Sequence, residues 1–129
     1  MPPKILQFGG GNFLRAFLGP AVAALNAEAD FGGSIVVVKP TEPGNYAALR
    51  EQNGRYHVFT RGRLGGATVD EVAIMNNISQ VIHPYREWRA FLASAAEPTL
   101  RTIVSNTTEA GIRYVPEPWV EDRCPPEFP

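Results

Sequence analysis

Three features of the sequence predict an α/β fold with a doubly wound, mainly parallel sheet and an inserted β-hairpin. A short apolar run at residues 4–8 breaks on Gly9-Gly10-Gly11 and passes straight into an amphipathic, helix-like segment. A second run, Ser34-Ile35-Val36-Val37-Val38, is β-branched after its first residue, which marks a strand buried on both faces, as in parallel sheets. Two stretches rich in strand formers, residues 55–61 and 67–75, flank a glycine-containing segment at 62–66, the pattern of a hairpin.

The first element is a strand ending on the glycines. Glycine lets the backbone turn sharply and approach a ligand, while the first helical N–H groups and the helix dipole favour an anion. Gly9-x-Gly11-x-x-Leu14 lacks the third small residue of the dinucleotide fingerprint, so Leu14 should hold helix and strand further apart. The helix that follows places Leu14, Leu18, Ala21 and Leu25 on one apolar stripe. Gly19-Pro20 is expected to interrupt it with a kink, because Pro20 has no N–H for the carbonyl of Ala16. Gly32-Gly33 ends the crossover, and strand, helix and strand fit within residues 4–39, the size of one βαβ unit. The glycines then lie at the carboxyl end of a first strand, where α/β sheets bind ligands.

Beyond this unit, residues 40–43 read as a loop and 45–52 as a short helix ending at Asn53-Gly54. The hairpin spans roughly residues 56–75. Pro84 precedes a helical pattern with Trp88, Phe91, Leu92 and Ala95 on its apolar face, and residues 99–105 form another strand. Five of the 12 prolines lie between Pro116 and Pro129, which predicts an extended tail. The expected division is a dinucleotide-binding domain at 1–115 and a proline-rich tail at 116–129.

Composition narrows the class. The 129 residues are 44% hydrophobic and 19% charged, ordinary values for a globular domain able to bury a core. A net charge of −1 gives no field to attract nucleic acid or anionic membrane. No apolar run approaches the ~20 residues of a membrane span. The first strand starts almost at residue 1, leaving no room for a signal peptide, so a cytoplasmic location is expected. Cys124 is the single cysteine, and His57 and His83 lack metal-pair spacing, which points away from disulfide and metal frameworks. No Gly-Lys-Ser/Thr is present for an NTPase phosphate loop. A methyltransferase would favour an acidic residue just before the glycines, where Gln7-Phe8 stands.

Three segments are together more specific. Residues 8–17 (Phe8-Gly9-Gly10-Gly11-Asn12-Phe13-Leu14-Arg15-Ala16-Phe17), Val36-Val37-Val38-Lys39-Pro40, and Ser105-Asn106-Thr107-Thr108-Glu109-Ala110-Gly111-Ile112 occur in this order. The chain thereby resembles the mannitol dehydrogenase family of polyol-type long-chain dehydrogenases over nearly its whole length. Its nearest branch is the tagaturonate reductases (altronate oxidoreductases).

The resemblance implies a Rossmann-like domain of an oxidoreductase that uses NAD to interconvert a sugar acid or polyol and its keto form. It implies that Gly9, Gly10 and Gly11 form the phosphate turn, that Asn12 caps the helix, and that N–H groups around Phe13 and Leu14 face the pyrophosphate. Asn106 and Thr107 would sit beside the nicotinamide ribose; loop capping is their ordinary alternative. Arg15 and Glu109 are each open between ligand contact and a plain surface role. Lys39 stands where NAD enzymes usually place an acid, so it is a candidate for the cofactor's adenosine side. NAD is the expected cofactor and NADP the alternative. Family members continue into a helical catalytic domain, so no catalytic residue is assigned here, and the 129-residue chain alone is expected to be inactive. A stand-alone nucleotide-binding or interaction module is the competing reading.

Overall fold

The computed structural model describes residues 1–44 and 46–125. In chain order the elements are β1 (Pro3–Phe8), α1 (Asn12–Glu28), β2 (Ser34–Val38), α2 (Ala47–Glu51), β3 (Tyr56–Leu64), β4 (Ala67–Met75), β5 (Ile78–Ile82), α3 (Trp88–Ala95) and β6 (Thr102–Ser105), followed by a 3-10 turn at Glu109–Gly111. Four strands form one sheet in the order β5-β2-β1-β6, every pair parallel. Strands β3 and β4 make a separate antiparallel hairpin. The expected doubly wound sheet with an inserted hairpin is therefore present.

Period-two alternation explains why the central strands are apolar on both sides. Ile5, Ile35 and Val37 pack with Val22 of α1, Leu49, Tyr56, Met75 and Ile78 on one face. Leu6, Val36, Val38 and Ile82 pack with Phe8, Ala90, Phe91 and Leu100 on the other. Helices α1 and α3 thus cover opposite faces of the sheet.

Helix α1 differs from expectation in two respects. Its buried residues are Leu14, Gly19 and Val22, with Leu18 half-buried, whereas Ala21 and Leu25 are exposed. The inward stripe follows the i, i+4, i+8 row through Leu14, Leu18 and Val22, rather than stepping three residues to Ala21. The helix also runs without a break through Pro20. Two side chains brace it beside the proline: the Tyr56 hydroxyl donates to the Arg15 carbonyl at 3.0 Å, and the Asn77 amide to the Gly19 carbonyl at 2.6 Å.

Three further boundaries move. Strand β3 extends to Leu64, so the hairpin closes on Gly65-Gly66 alone, with φ of 58° and 85°. Two consecutive positive φ values are the requirement of a type I′ turn, which glycine meets without strain. Strand β6 begins at Thr102 rather than 99; Thr99 instead donates its hydroxyl to the Pro3 carbonyl at 2.8 Å. Strand β5 was not expected at all. Ser79 and Gln80 interrupt its apolar pattern because it lies at the sheet edge with that part exposed.

After the 3-10 turn the chain folds back on α3. The Trp88 indole N–H donates to the Glu121 carbonyl at 2.7 Å, the rings of Trp88 and Trp119 lie 5.8 Å apart, and Cys124 is buried.

Candidate functional site

Register aligns the carboxyl ends of the strands. Phe8 pairs with both Val38 and Ser105, and Val38 pairs with Ile82. His83, Lys39, Gly9 and Asn106, which follow β5, β2, β1 and β6, therefore lie in that order along the carboxyl edge of the sheet. Crossovers from β1 lead to β2 and β5 on one side, and β6 joins on the other. The gap beyond β1 and β6 is a topological switch point, where open α/β sheets take ligands. The glycine turn and Asn106-Thr107 flank it.

The three glycines have separate reasons to be glycine. Gly9 has φ +99°, a conformation costly for any residue with a Cβ. Its N–H donates to the Val38 carbonyl at 2.8 Å, and its own carbonyl accepts from the buried Gln7 amide at 2.7 Å. Gly10 lies under the Tyr46 ring, whose edge would come within 2.9 Å of a Cβ there. Gly11 has φ −66°, ordinary for any residue, and a Cβ on it would meet nothing within 4 Å. Neither the conformation of this chain nor its packing accounts for the absence of a side chain at Gly11.

Gly11 is the N-cap of α1 and makes no side-chain cap bond. Asn12 was expected to cap the helix; it is instead the first helical residue, and its Oδ1 accepts from Arg15 at 2.7 Å. The first-turn N–H groups at Asn12, Phe13 and Leu14 have no carbonyl one turn earlier within the helix, and no acidic side chain stands in that turn. Leu14 is buried, with Cδ1 3.8 Å from a Cβ on Gly9, so it fills the helix–strand contact where the fingerprint has a small residue. Phe13 and Phe17 are exposed and stacked, ring centroids 5.5 Å apart. The guanidinium of Arg15 lies 5.9 Å from the Tyr56 ring centroid.

Lys39 is buried, with 4% of its surface exposed. Its ammonium donates to the Thr41 carbonyl, to Thr41 Oγ1 at 2.9 Å and to the Pro43 carbonyl at 2.6 Å. All three of its donors are thus engaged in the loop after β2, and it acts as a strut for that loop. Burial, with the neighbouring Arg86 charge, holds its pKa below the ordinary lysine value. Asn106 and Thr107 are exposed after β6, and the Thr107 hydroxyl lies 2.8 Å from that of Ser105. Glu109 opens the 3-10 turn and is exposed.

Beyond β2 and β5 lies a cavity of about 370 Å³ lined by Lys39, Tyr46, Arg50, His83, Arg86 and Glu87 among others. Arg50 forms an ion pair with Glu87, which also accepts the His83 N–H at 2.8 Å. Burial raises the Glu87 pKa, but the Arg50 and His83 hydrogen bonds and charges outweigh it, and the net direction is downward. His83 is buried; its Nε2 lies 3.2 Å from the Glu42 carbonyl, and its Nδ1 has no partner among the described residues. Sequence reading missed this cavity because it missed β5, whose end forms one wall. His57 lies exposed on the hairpin beside Phe59. Among the described residues no cluster of His, Cys, Asp and Glu could hold a metal, and no helix is long and apolar enough to cross a membrane.

Comparison with known proteins agrees with this geometry. Residues 3–125 match the family model for the mannitol dehydrogenase Rossmann domain. Altronate oxidoreductase of Bacillus subtilis is 43% identical over 128 residues, covering 99% of this chain and 27% of that protein. The altronate oxidoreductase of Halalkalibacterium halodurans is 38% identical over 130 residues, covering 100% of this chain and 25% of that protein. The chain thus spans about a quarter of the length of these relatives. Among solved structures, Pseudomonas fluorescens mannitol 2-dehydrogenase, in a ternary complex with NAD and D-mannitol, superposes with a TM-score of 0.73 at 23% identity, over 86% of this chain and 23% of that one. A substrate-free D-sorbitol dehydrogenase gives 0.69 at 24% identity with the same coverage. These two likenesses concern the fold.

Proposed function

Since the chain belongs to the mannitol dehydrogenase family, as its Rossmann domain, we propose that it is the cofactor-binding part of an NAD-dependent oxidoreductase. The full-length protein interconverts a sugar acid of the altronate/tagaturonate type, or a polyol, and its keto form. The observation that carries the reading is Gly11: a glycine that neither local conformation nor packing requires, at a helix start that leaves its first N–H groups for an anion. The residues present fit a dinucleotide. Gly9 to Gly11 with the N–H groups of Asn12, Phe13 and Leu14 hold the pyrophosphate, and Asn106 and Thr107 lie across the switch point on the nicotinamide side. NAD, when bound, supplies the hydride acceptor; this chain's residues bind and orient it.

Lys39 supports NAD over NADP. With its donors taken by Thr41 and Pro43, it braces the loop that shapes the adenosine end and does not meet a 2′-phosphate. The cofactor domain is read as residues 1–115, with 116–125 folded back on its α3; in the full-length protein a helical domain supplies the acid/base group. The tail's last four residues, 126–129, lie outside the described residues.

Calorimetric titration tests the reading. The parent chain binds NADH with a dissociation constant of about 0.1–1 mM, and more tightly than NADPH. Gly11→Val removes the binding, since a β-branched side chain fills the phosphate space. Equal binding by Gly11→Val, or a preference for NADPH, overturns the corresponding part.

A further inference from the structure

We propose that the Tyr46 hydroxyl is a phosphate ligand of the glycine turn, donating its proton to the adenosine-side phosphate of the cofactor. This rests on the dinucleotide reading above. Tyr46, at the N-terminus of α2, lays its ring over Gly10, and its hydroxyl accepts the Gly10 N–H at 3.0 Å. A phenolic hydroxyl is donor and acceptor at once. The accepted bond fixes the oxygen at the turn, and the hydroxyl's own proton finds no acceptor among the described residues. The Lys39 ammonium, 5.7 Å from the Tyr46 ring centroid, holds the ring from the strand side.

A second observation points to a ligand beside it. Tyr46 also lines the cavity beyond β2 and β5, whose wall includes His83, buried and with Nδ1 unpartnered. A nucleoside seated in that cavity carries its 5′-phosphate towards the turn, and Tyr46 stands between the two. The Gly10 N–H is already taken, so the anion uses the tyrosine proton in its place, together with the helix N–H groups beyond Gly11. Gly10 is glycine to admit the Tyr46 ring, and Gly11 to admit the phosphate.

The test uses Tyr46→Phe in the full 129-residue chain, with ADP and adenosine each displacing NADH. Loss of one hydrogen bond to an anion weakens ADP about five- to tenfold and leaves adenosine unchanged. Equal weakening of both ligands assigns Tyr46 a structural role and overturns the proposal; so does unchanged or tighter ADP binding. As a measurement independent of the variant's folding, the Gly10 amide resonance of the parent shifts with ADP and not with adenosine; the same shift with both overturns it. A parent that binds neither NADH nor ADP refutes the cofactor reading, and the Tyr46 assignment falls with it. Normal NADH and adenosine binding with unaltered ADP binding in Tyr46→Phe refutes the assignment alone.

Discussion

Arg50 of α2 and Glu87 at the start of α3 are joined by an ion pair across the carboxyl edge of β5, and Arg50 also donates to the Val81 carbonyl at 2.8 Å. The pair ties a helix that follows β2 to one that follows β5, although their elements are otherwise separated by the hairpin. Glu87 serves a third group, the His83 N–H.

The Glu87 carboxylate has its pKa lowered from 4.5 in the folded chain. Its contribution is complete above the unfolded value and is lost as pH falls through the folded one. Both side chains are substantially exposed, 42% for Arg50 and 38% for Glu87, so Glu87→Gln costs only about 0.5–1 kcal/mol at pH 7. Urea midpoints measured from pH 7 down to 3 should decline less steeply in the variant than in the parent.

Gly19→Ala separates helix propensity from packing. Alanine favours a helix interior by about 1 kcal/mol, but its Cβ at this site would stand 1.9 Å from the Tyr56 hydroxyl. A net loss of about 1–3 kcal/mol is expected. Gly19→Ala/Tyr56→Phe should recover part of it, because the nearest ring carbon lies 3.2 Å away. A stabilised single variant in thermal melts would contradict this packing.

The two neighbouring glycines of the turn respond differently to a methyl group. Gly10→Ala pushes against the Tyr46 ring at 2.9 to 3.3 Å, whereas Gly11→Ala meets open space. Denaturant unfolding should show a loss of about 1–3 kcal/mol for the first and a change within about 0.5 kcal/mol for the second.

Much of this architecture was legible in the chain, for reasons that can be located. The β-branched run at Ile35 to Val38 had to be buried on both faces, and Gly65-Gly66 had to turn. The phase of α1 was not legible, since rows through Ala21 and Val22 are both apolar and only the sheet's position selects Val22. Strand β5 escaped because an edge strand tolerates Ser79 and Gln80. At the site, the glycine turn was visible as a local pattern. The reach of Tyr46 to Gly10 spans 36 residues and leaves no local mark, while Lys39 bonds residues two and four positions on, in a loop whose path no side-chain pattern announces.

Cys124 should be a slow thiol. Burial first, and the Glu42 charge second, raise its pKa to about 11. Thiolate is the reactive form, so labelling by a disulfide reagent at pH 8 should be slow in the folded chain and fast in urea. The unfolded thiol ionises first as pH rises above the ordinary value of 9.0, so stability should fall between about pH 9 and 11. Cys124→Ser should flatten that decline.

The purified 129-residue chain should transfer no hydride between NADH and tagaturonate. Positioning a dinucleotide does not supply the proton transfer that the substrate oxygen requires. Absorbance at the NADH band should stay at the uncatalysed baseline, and turnover above it would locate the acid/base group within these residues.

The central place of β1 sets a timetable for synthesis. This strand leaves the ribosome before its partners, and Phe8 acquires its neighbour on one side from Val38 and on the other from Ser105. At about 5–20 residues per second, the β6 edge of β1 stays open for roughly 5–20 s after the strand emerges. The hairpin, by contrast, pairs consecutive strands across two residues and can close within microseconds of appearing. An unpaired, apolar parallel edge exposed for seconds is a site for wrong pairing with another nascent chain. Yield during expression should therefore depend more on how quickly residues 102–105 are delivered than on the stability of the finished sheet.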